Sequence, residues 1–174
     1  MPSPSTAPPL NLILDHLVLT VSSVPATIAW YTTHLQFRHE SFVSPANPDI
    51  VRHSLLFGTG IHTQKINLHE RGREFEPKAG CVRAGSADLC FVTETDVGAV
   101  RRRWVLEGEG EGEGGHVEVL KMEDVTGERV DNEGCVVRTG ARGRLRSFYC
   151  RDLDGNLIEY ARGVVEYRIR DLFC

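Results

Sequence analysis

The stretch Leu14-Asp15-His16-Leu17-Val18-Leu19-Thr20-Val21, followed by an apolar helical pattern from Val24 to Tyr31, is written a second time. The second version is Ala87-Asp88-Leu89-Cys90-Phe91-Val92-Thr93, followed by Val97 to Trp104. Each copy opens with strand alternation, switches to helical spacing and ends on a large aromatic residue. Each also places a side chain able to hold a metal at the head of its strand, His16 in one and Asp88 in the other. The repetition reads as an internal duplication, and two such copies can enclose a cavity that neither forms alone.

Outward from the repeat, Ser22 or Ser23 caps a helix expected over 25–35, with Pro25 in its first turn and Ile28, Tyr31 and Leu35 on one face. Strands are expected over 50–57 and 64–69, joined by Gly58-Thr59-Gly60. In the second copy the helix runs over 97–106, a strand is expected near 117–122, and a final hairpin pairs 147–151 with 157–161 around Asp152-Leu153-Asp154-Gly155-Asn156, a strong turn signal. The chain therefore divides into a proline-bearing tail (1–11), a first module (12–70), an aperiodic linker (71–85), a second module (86–163) and a C-terminal tail (164–174). The second module carries an insertion at about 107–134, whose Glu-Gly alternation from Glu107 to Gly115 combines charge repulsion with glycine entropy and reads as a solvated loop.

A chain of 174 residues suits one domain that buries about two thirds of its unfolded surface. With 41% apolar residues, 25% charged residues and a formal net charge of -4, it has no general attraction for nucleic acid or an anionic membrane, so the expected partner is a small molecule. No apolar run reaches the roughly 18 residues of a membrane span, and residues 1–11 lack the pattern of a secretory signal, which makes a cytoplasmic location the default. The five cysteines are odd in number and form no C-x-x-C pair, against both a disulfide framework and a thiolate zinc site. Cys90 and Cys150 read as small core residues.

Ile66-Asn67-Leu68 in the first module corresponds to Ile158-Glu159-Tyr160 in the second, so Asn67 and Glu159 are equivalents. Alternation turns Asn67 and His69 to one face. Four positions on four strands can converge: His16, Asn67 or His69, Asp88 and Glu159. A mixed imidazole and carboxylate set suits zinc, nickel, manganese or iron(II) and leaves positions open for water or substrate. His34, His39, His53, His62 and His116 read as ordinary surface or core histidines. Arg138-Thr139-Gly140-Ala141-Arg142-Gly143, with Arg146 beyond it, combines cations with backbone amides; Arg138, Thr139 and Arg146 are candidates to hold an anionic substrate. The competing reading is a basic surface turn that balances the Glu-rich insertion.

Residues 12–161 resemble the glyoxalase, bleomycin-resistance and extradiol-dioxygenase superfamily, also called the vicinal oxygen chelate superfamily. The matching pieces, in order, are LDHLVLTV, the helix with Trp30-Tyr31, QKINLHERGREFEPKA, GSADLCFVTE, RTGARG and FYCRDLDGNLIEYA. The resemblance implies an α+β fold of two paired βαββ(β) modules whose curved sheets surround a metal-centred cavity. It implies His16, Asp88 and Glu159 as ligands, Asn67 or His69 in fourth place, and Glu159 as the catalytic base. Two positions depart from the pattern. Asp88 stands where metal-using relatives most often have histidine, and Asn67 stands where glyoxalase I has glutamate and cannot act as a base. Extradiol cleavage needs two histidines and a carboxylate, and only His69 offers the second histidine. The resemblance leaves two functions: a metal-dependent lyase, isomerase or dioxygenase acting on a small oxygenated molecule, or a metal-free binding module of the bleomycin-resistance type. The retention of His16 with Glu159 favours the enzyme. Modules of this kind pair within one chain or by exchange between chains, the second giving a homodimer.

Overall fold

A computed structural model describes residues 13–44, 47–107 and 117–164. The expected tail at 1–11, all of the expected tail at 164–174 but Val164, and the Glu-Gly tract over 108–115 lie outside the described residues. The order of elements is β1 (His16–Val21), α1 (Val24–Leu35), β2 (Arg38–Ser44), β3 (Asn47–Phe57), β4 (Gln64–Glu70), β5 (Asp88–Val92), α2 (Val97–Glu107), β6 (Glu118–Val119), α3 (Met122–Thr126), β7 (Val136–Gly140), β8 (Gly143–Arg151) and β9 (Leu157–Gly163). They build two sheets, one ordered β1-β4-β3-β2 and the other β5-β9-β8, with β6 and β7 both pairing the far side of β8.

The duplication is visible in the register. β1 runs parallel to β4 with Val18 opposite Asn67, and β5 runs parallel to β9 with Cys90 opposite Glu159. The mixed α+β architecture of two sheets is that of the glyoxalase-like fold. Helix α1 starts where Ser23 Oγ accepts the Ala26 amide, with Pro25 in its first turn, and it buries Val24, Thr27, Trp30 and Tyr31.

Side-chain alternation gives each sheet an inner face and an outer face. Leu19, Val21, Leu55, Ile66 and Leu68 of the first sheet share a single core cluster with Phe148, Cys150 and Ile158 of the second. Aromatic contacts tie the halves together: His34 of α1 meets Trp104 of α2 at 6.2 Å, and Phe91 of β5 meets Phe37 and Phe57, each at 5.2 Å. The inner faces, with both helices, are thus packed into one body. The outer faces lie on opposite sides of that core.

The acidic turn 152–156 is a clamp between modules as well as a turn. Tyr31 Oη donates to Asp152 Oδ2 at 2.9 Å and the Ser22 amide donates to both Asp154 oxygens at 3.0 and 3.2 Å, while within the second module the Ala87 amide donates to Asn156 Oδ1 at 2.9 Å. Gly155 takes φ +85°, the left-handed conformation that closes the turn without a Cβ penalty. Gly85 is also left-handed, at φ +74°, and an added Cβ there would in addition collide with the carbonyl oxygen of Asp154.

Three sequence expectations need correction. The region 117–126 holds a two-residue strand and then the short helix α3. Val136–Gly140 is a regular strand paired to β8, so the RTGARG segment is a hairpin whose turn is confined to Ala141-Arg142. Cys90 is exposed, because its side chain lies on the outer face opposite Glu159, whereas Cys150 is buried as expected. Among the described residues no helix is long and apolar enough to cross a membrane.

Candidate functional site

His16, Val18 and Thr20 of β1 lie opposite Lys65, Asn67 and His69 of β4. They belong to the outer face of the first sheet, away from Leu17, Leu19 and Val21. His16 is 44% exposed and its Nδ1 lies 2.7 Å from Asp15 Oδ2. Asn67 accepts a hydrogen bond from Ser54 Oγ at 2.9 Å through its side-chain oxygen. His69 is 5% exposed and closed beneath the ring of Phe75, 4.0 Å away, which also stacks under the Arg52 guanidinium. The Nδ1 of His69 and the Nε of Arg52 are both buried without a hydrogen-bond partner. Burial first, then the Arg52 charge, holds His69 below its ordinary pKa, so it is neutral at physiological pH. Asn67 is therefore the more accessible of the two alternatives for a fourth donor.

On the second sheet, Asp88 and Cys90 of β5 lie beside Leu157 and Glu159 of β9, with Tyr149 of β8 opposite Glu159. This is again the outer face. Ser147 Oγ donates to Glu159 Oε1 at 2.6 Å, and the Arg138 guanidinium lies over the Tyr149 ring, 5.8 Å from its centroid. Burial raises the Tyr149 phenol above its usual range, and the Glu159 charge adds to the effect. Although Cys90 is exposed as a residue, partial desolvation of its thiol and then Glu159 push it up to about 12. Glu159 thus accepts a hydrogen bond from the Ser147 hydroxyl and stands opposite the Tyr149 phenol and the Cys90 thiol.

The basic candidates do not converge. Arg138 shares the outer face with Tyr149 and is tied to Glu128 by two bonds of 2.5 and 3.1 Å. Arg146 lies on the other face, where it binds Asp131 at 2.7 Å and Glu133 at 2.6 Å; Glu133 also pairs with Arg102. Thr139 follows Arg138 in β7 and stands opposite Arg144. The insertion supplies these acidic partners, which is the charge balance weighed in the sequence, carried out by Glu128, Asp131 and Glu133.

Among the described residues, no group of three or more His, Cys, Asp or Glu side chains comes together closely enough to hold a metal ion. His16 belongs to one outer face, and Asp88 and Glu159 to the other. One chain by itself therefore does not fit a mononuclear metal with the expected ligands. The two faces instead carry two partial sets in equivalent registers. Between the modules lies a cleft of about 860 Å³ with apolar walls that include Leu17, Phe57, Ile66, Phe91 and Tyr160, bordered by Cys90 and Val92 of β5, with Gln64 and Arg142 among its polar residues.

The fold agrees with the comparisons. The profile of the Glyoxalase/Bleomycin resistance protein/Dioxygenase superfamily matches residues 13–160, and the chain belongs to that superfamily. It is 40% identical over 151 residues to the virulence protein STM3117 of Salmonella typhimurium, covering 87% of this chain and 84% of that protein. It is 37% identical over 150 residues to the glyoxalase domain-containing protein RDO1 of Mycosarcoma maydis, covering 84% of this chain and 65% of that protein. Among solved structures it is similar to VPC_CASS1 from the mobile metagenome of V. pseudocholerae, with TM-score 0.69 and 40% identity over 91% of this chain and all (100%) of that one.

Proposed function

We propose that the chain is a metal-dependent enzyme acting on a small oxygenated substrate, in which two copies pair so that the outer face of one first module meets the outer face of the other's second module. The observation that carries this reading is the placement of His16 and Glu159 at the outer faces, in modules whose inner faces are already packed together. Exposed apolar side chains on the same faces give the pairing a driving force: Val18 is 48% exposed, Phe42 42% and Val92 63%. In such a pair His16 and Asn67 of one copy approach Asp88 and Glu159 of the other.

A divalent ion bound there would draw two substrate oxygens together and stabilise the negative charge that develops on them. The chain's own contribution centres on Glu159. Ser147 fixes one carboxylate oxygen, and Arg138 is paired with Glu128, so the carboxylate is oriented without being neutralised by a cation. That leaves it able to accept a proton from a substrate carbon or oxygen and return it. The test is divalent-metal titration of wild type, His16→Ala and Glu159→Ala. Each variant should lose tenfold or more in affinity with the fold intact, and unchanged affinity in both contradicts the assignment.

The second reading, a metal-free binding module, is favoured by the apolar cleft between the modules. Its volume of about 860 Å³ falls within the range of ligand pockets. On that reading an organic ligand binds equally well to wild type and to Glu159→Ala.

A further inference from the structure

We infer that His39 and His53 form a second, independent transition-metal site, which bridges the edge strand β2 to β3. His39 Nε2 and His53 Nδ1 face each other at 3.0 Å, with ring centroids 5.2 Å apart and planes inclined by 23°. The two residues are diagonal neighbours on one face of the hairpin, His39 standing opposite Leu55 and His53 opposite Ser41. That face is the inner one, so the pair is separated by the sheet from the Asn67 and His16 side.

The separation is what cis coordination demands. Imidazole nitrogens bind zinc at about 2.0–2.1 Å, so two on one ion stand about 2.9 Å apart at a right-angled arrangement and about 3.3 Å at a tetrahedral one. At this separation an ion can replace the shared hydrogen if each ring turns so that its lone pair points at the ion, off the line that joins the two nitrogens. The proton now held between the rings moves to the other nitrogen of its own ring, and at neutral pH no net proton is released. Burial and the neighbouring His39 keep His53 below its usual pKa, so its lone pair is available. His39 and its contact with His53 are exposed on the edge strand, so an ion and its waters reach the pair from solvent. Imidazole donors without carboxylate select borderline ions, with copper(II) preferred to nickel and zinc, and magnesium and calcium excluded. No third protein donor joins the pair among the described residues, so the site is a two-point clamp, distinct from the donor sets of the outer faces.

The test is copper(II) and zinc titration of the full chain in a His16→Ala, Glu159→Ala background, which removes the outer-face donors, alone and with His39→Ala or His53→Ala added, with electron paramagnetic resonance of the one-equivalent copper complex. The expected result is one copper per chain with hyperfine coupling to two nitrogens in the background protein, and a loss of at least tenfold in both hairpin variants. A loss smaller than tenfold in either hairpin variant overturns the inference. Coupling to fewer than two nitrogens in the background protein overturns it as well.

Discussion

Ser147 donates its hydroxyl to Glu159 at 2.6 Å, from a position with no solvent exposure. Ser147→Ala removes the bond without adding bulk. The net loss of a hydrogen bond to a charged group is about 1.5–3 kcal/mol, to be read in urea unfolding. The variant should also weaken metal binding by about tenfold, since partners that orient a ligand matter nearly as much as the ligand. Stability loss with unchanged metal affinity would reduce Ser147 to a packing role.

Tyr31→Phe tests the clamp between the modules. The phenol spans 121 residues of sequence to reach Asp152, which is 9% exposed and also accepts from the Asn156 side-chain amide at 2.8 Å. Removing the hydroxyl leaves a buried carboxylate with one donor fewer, so a loss of about 1–3 kcal/mol is expected in denaturant unfolding. A change below 0.5 kcal/mol, the ordinary scale of a surface substitution, would show that the turn does not join the modules energetically.

His69 gives the folding equilibrium a defined pH dependence. Its pKa is lowered in the folded state by burial and by Arg52, so below its unfolded value of about 6.5 the unfolded chain binds the proton more readily. Its contribution is complete above that pH, and is lost as pH falls from the unfolded value through the lower folded one. His69→Gln should flatten this part of the stability curve. His53 is lowered too, so the flattening should be partial. A curve unchanged from wild type would contradict the buried, neutral histidine.

Val92→Glu should dissociate the pair. The residue is 63% exposed on the outer face of β5, so the folded single chain tolerates a carboxylate there while an apolar contact between copies does not. Sedimentation equilibrium should show wild type as a dimer and the variant weakened by tenfold or more. A monomeric wild type would remove the shared site.

The duplicated strand and helix were legible because their periods differ and their aromatic ends recur, and the equivalence of Asn67 with Glu159 followed from the same comparison. The edge strand β2 was not. Its residues Arg38 to Val43 are all exposed, so burial leaves no alternation on which a sequence reading can act. The candidate ligands were found as residues, but their separation was hidden, because strand alternation fixes which face a side chain takes and not which faces meet. The partners of Arg138 and Arg146 escaped for a related reason: Glu128, Asp131 and Glu133 lie in an aperiodic insertion that only tertiary folding brings against β7 and β8. The hydrogen-bonded contact of His39 with His53 depends on the β2-β3 register, which neither histidine reveals alone.

The central claim is that His16 of one copy and Glu159 of another serve the same site. The direct measurement mixes His16→Ala and Glu159→Ala, both in a His39→Ala, His53→Ala background, and counts bound divalent metal after subunit exchange. Each variant alone should bind none at the outer faces. In a mixed pair one site lacks both side chains and the other has both, so statistical exchange should restore about a quarter of the sites present in the parent background. Recovery near that fraction is the predicted result. A parent that binds metal, joined to a mixture that recovers none, would place His16 and Glu159 in the same chain's site and contradict the account.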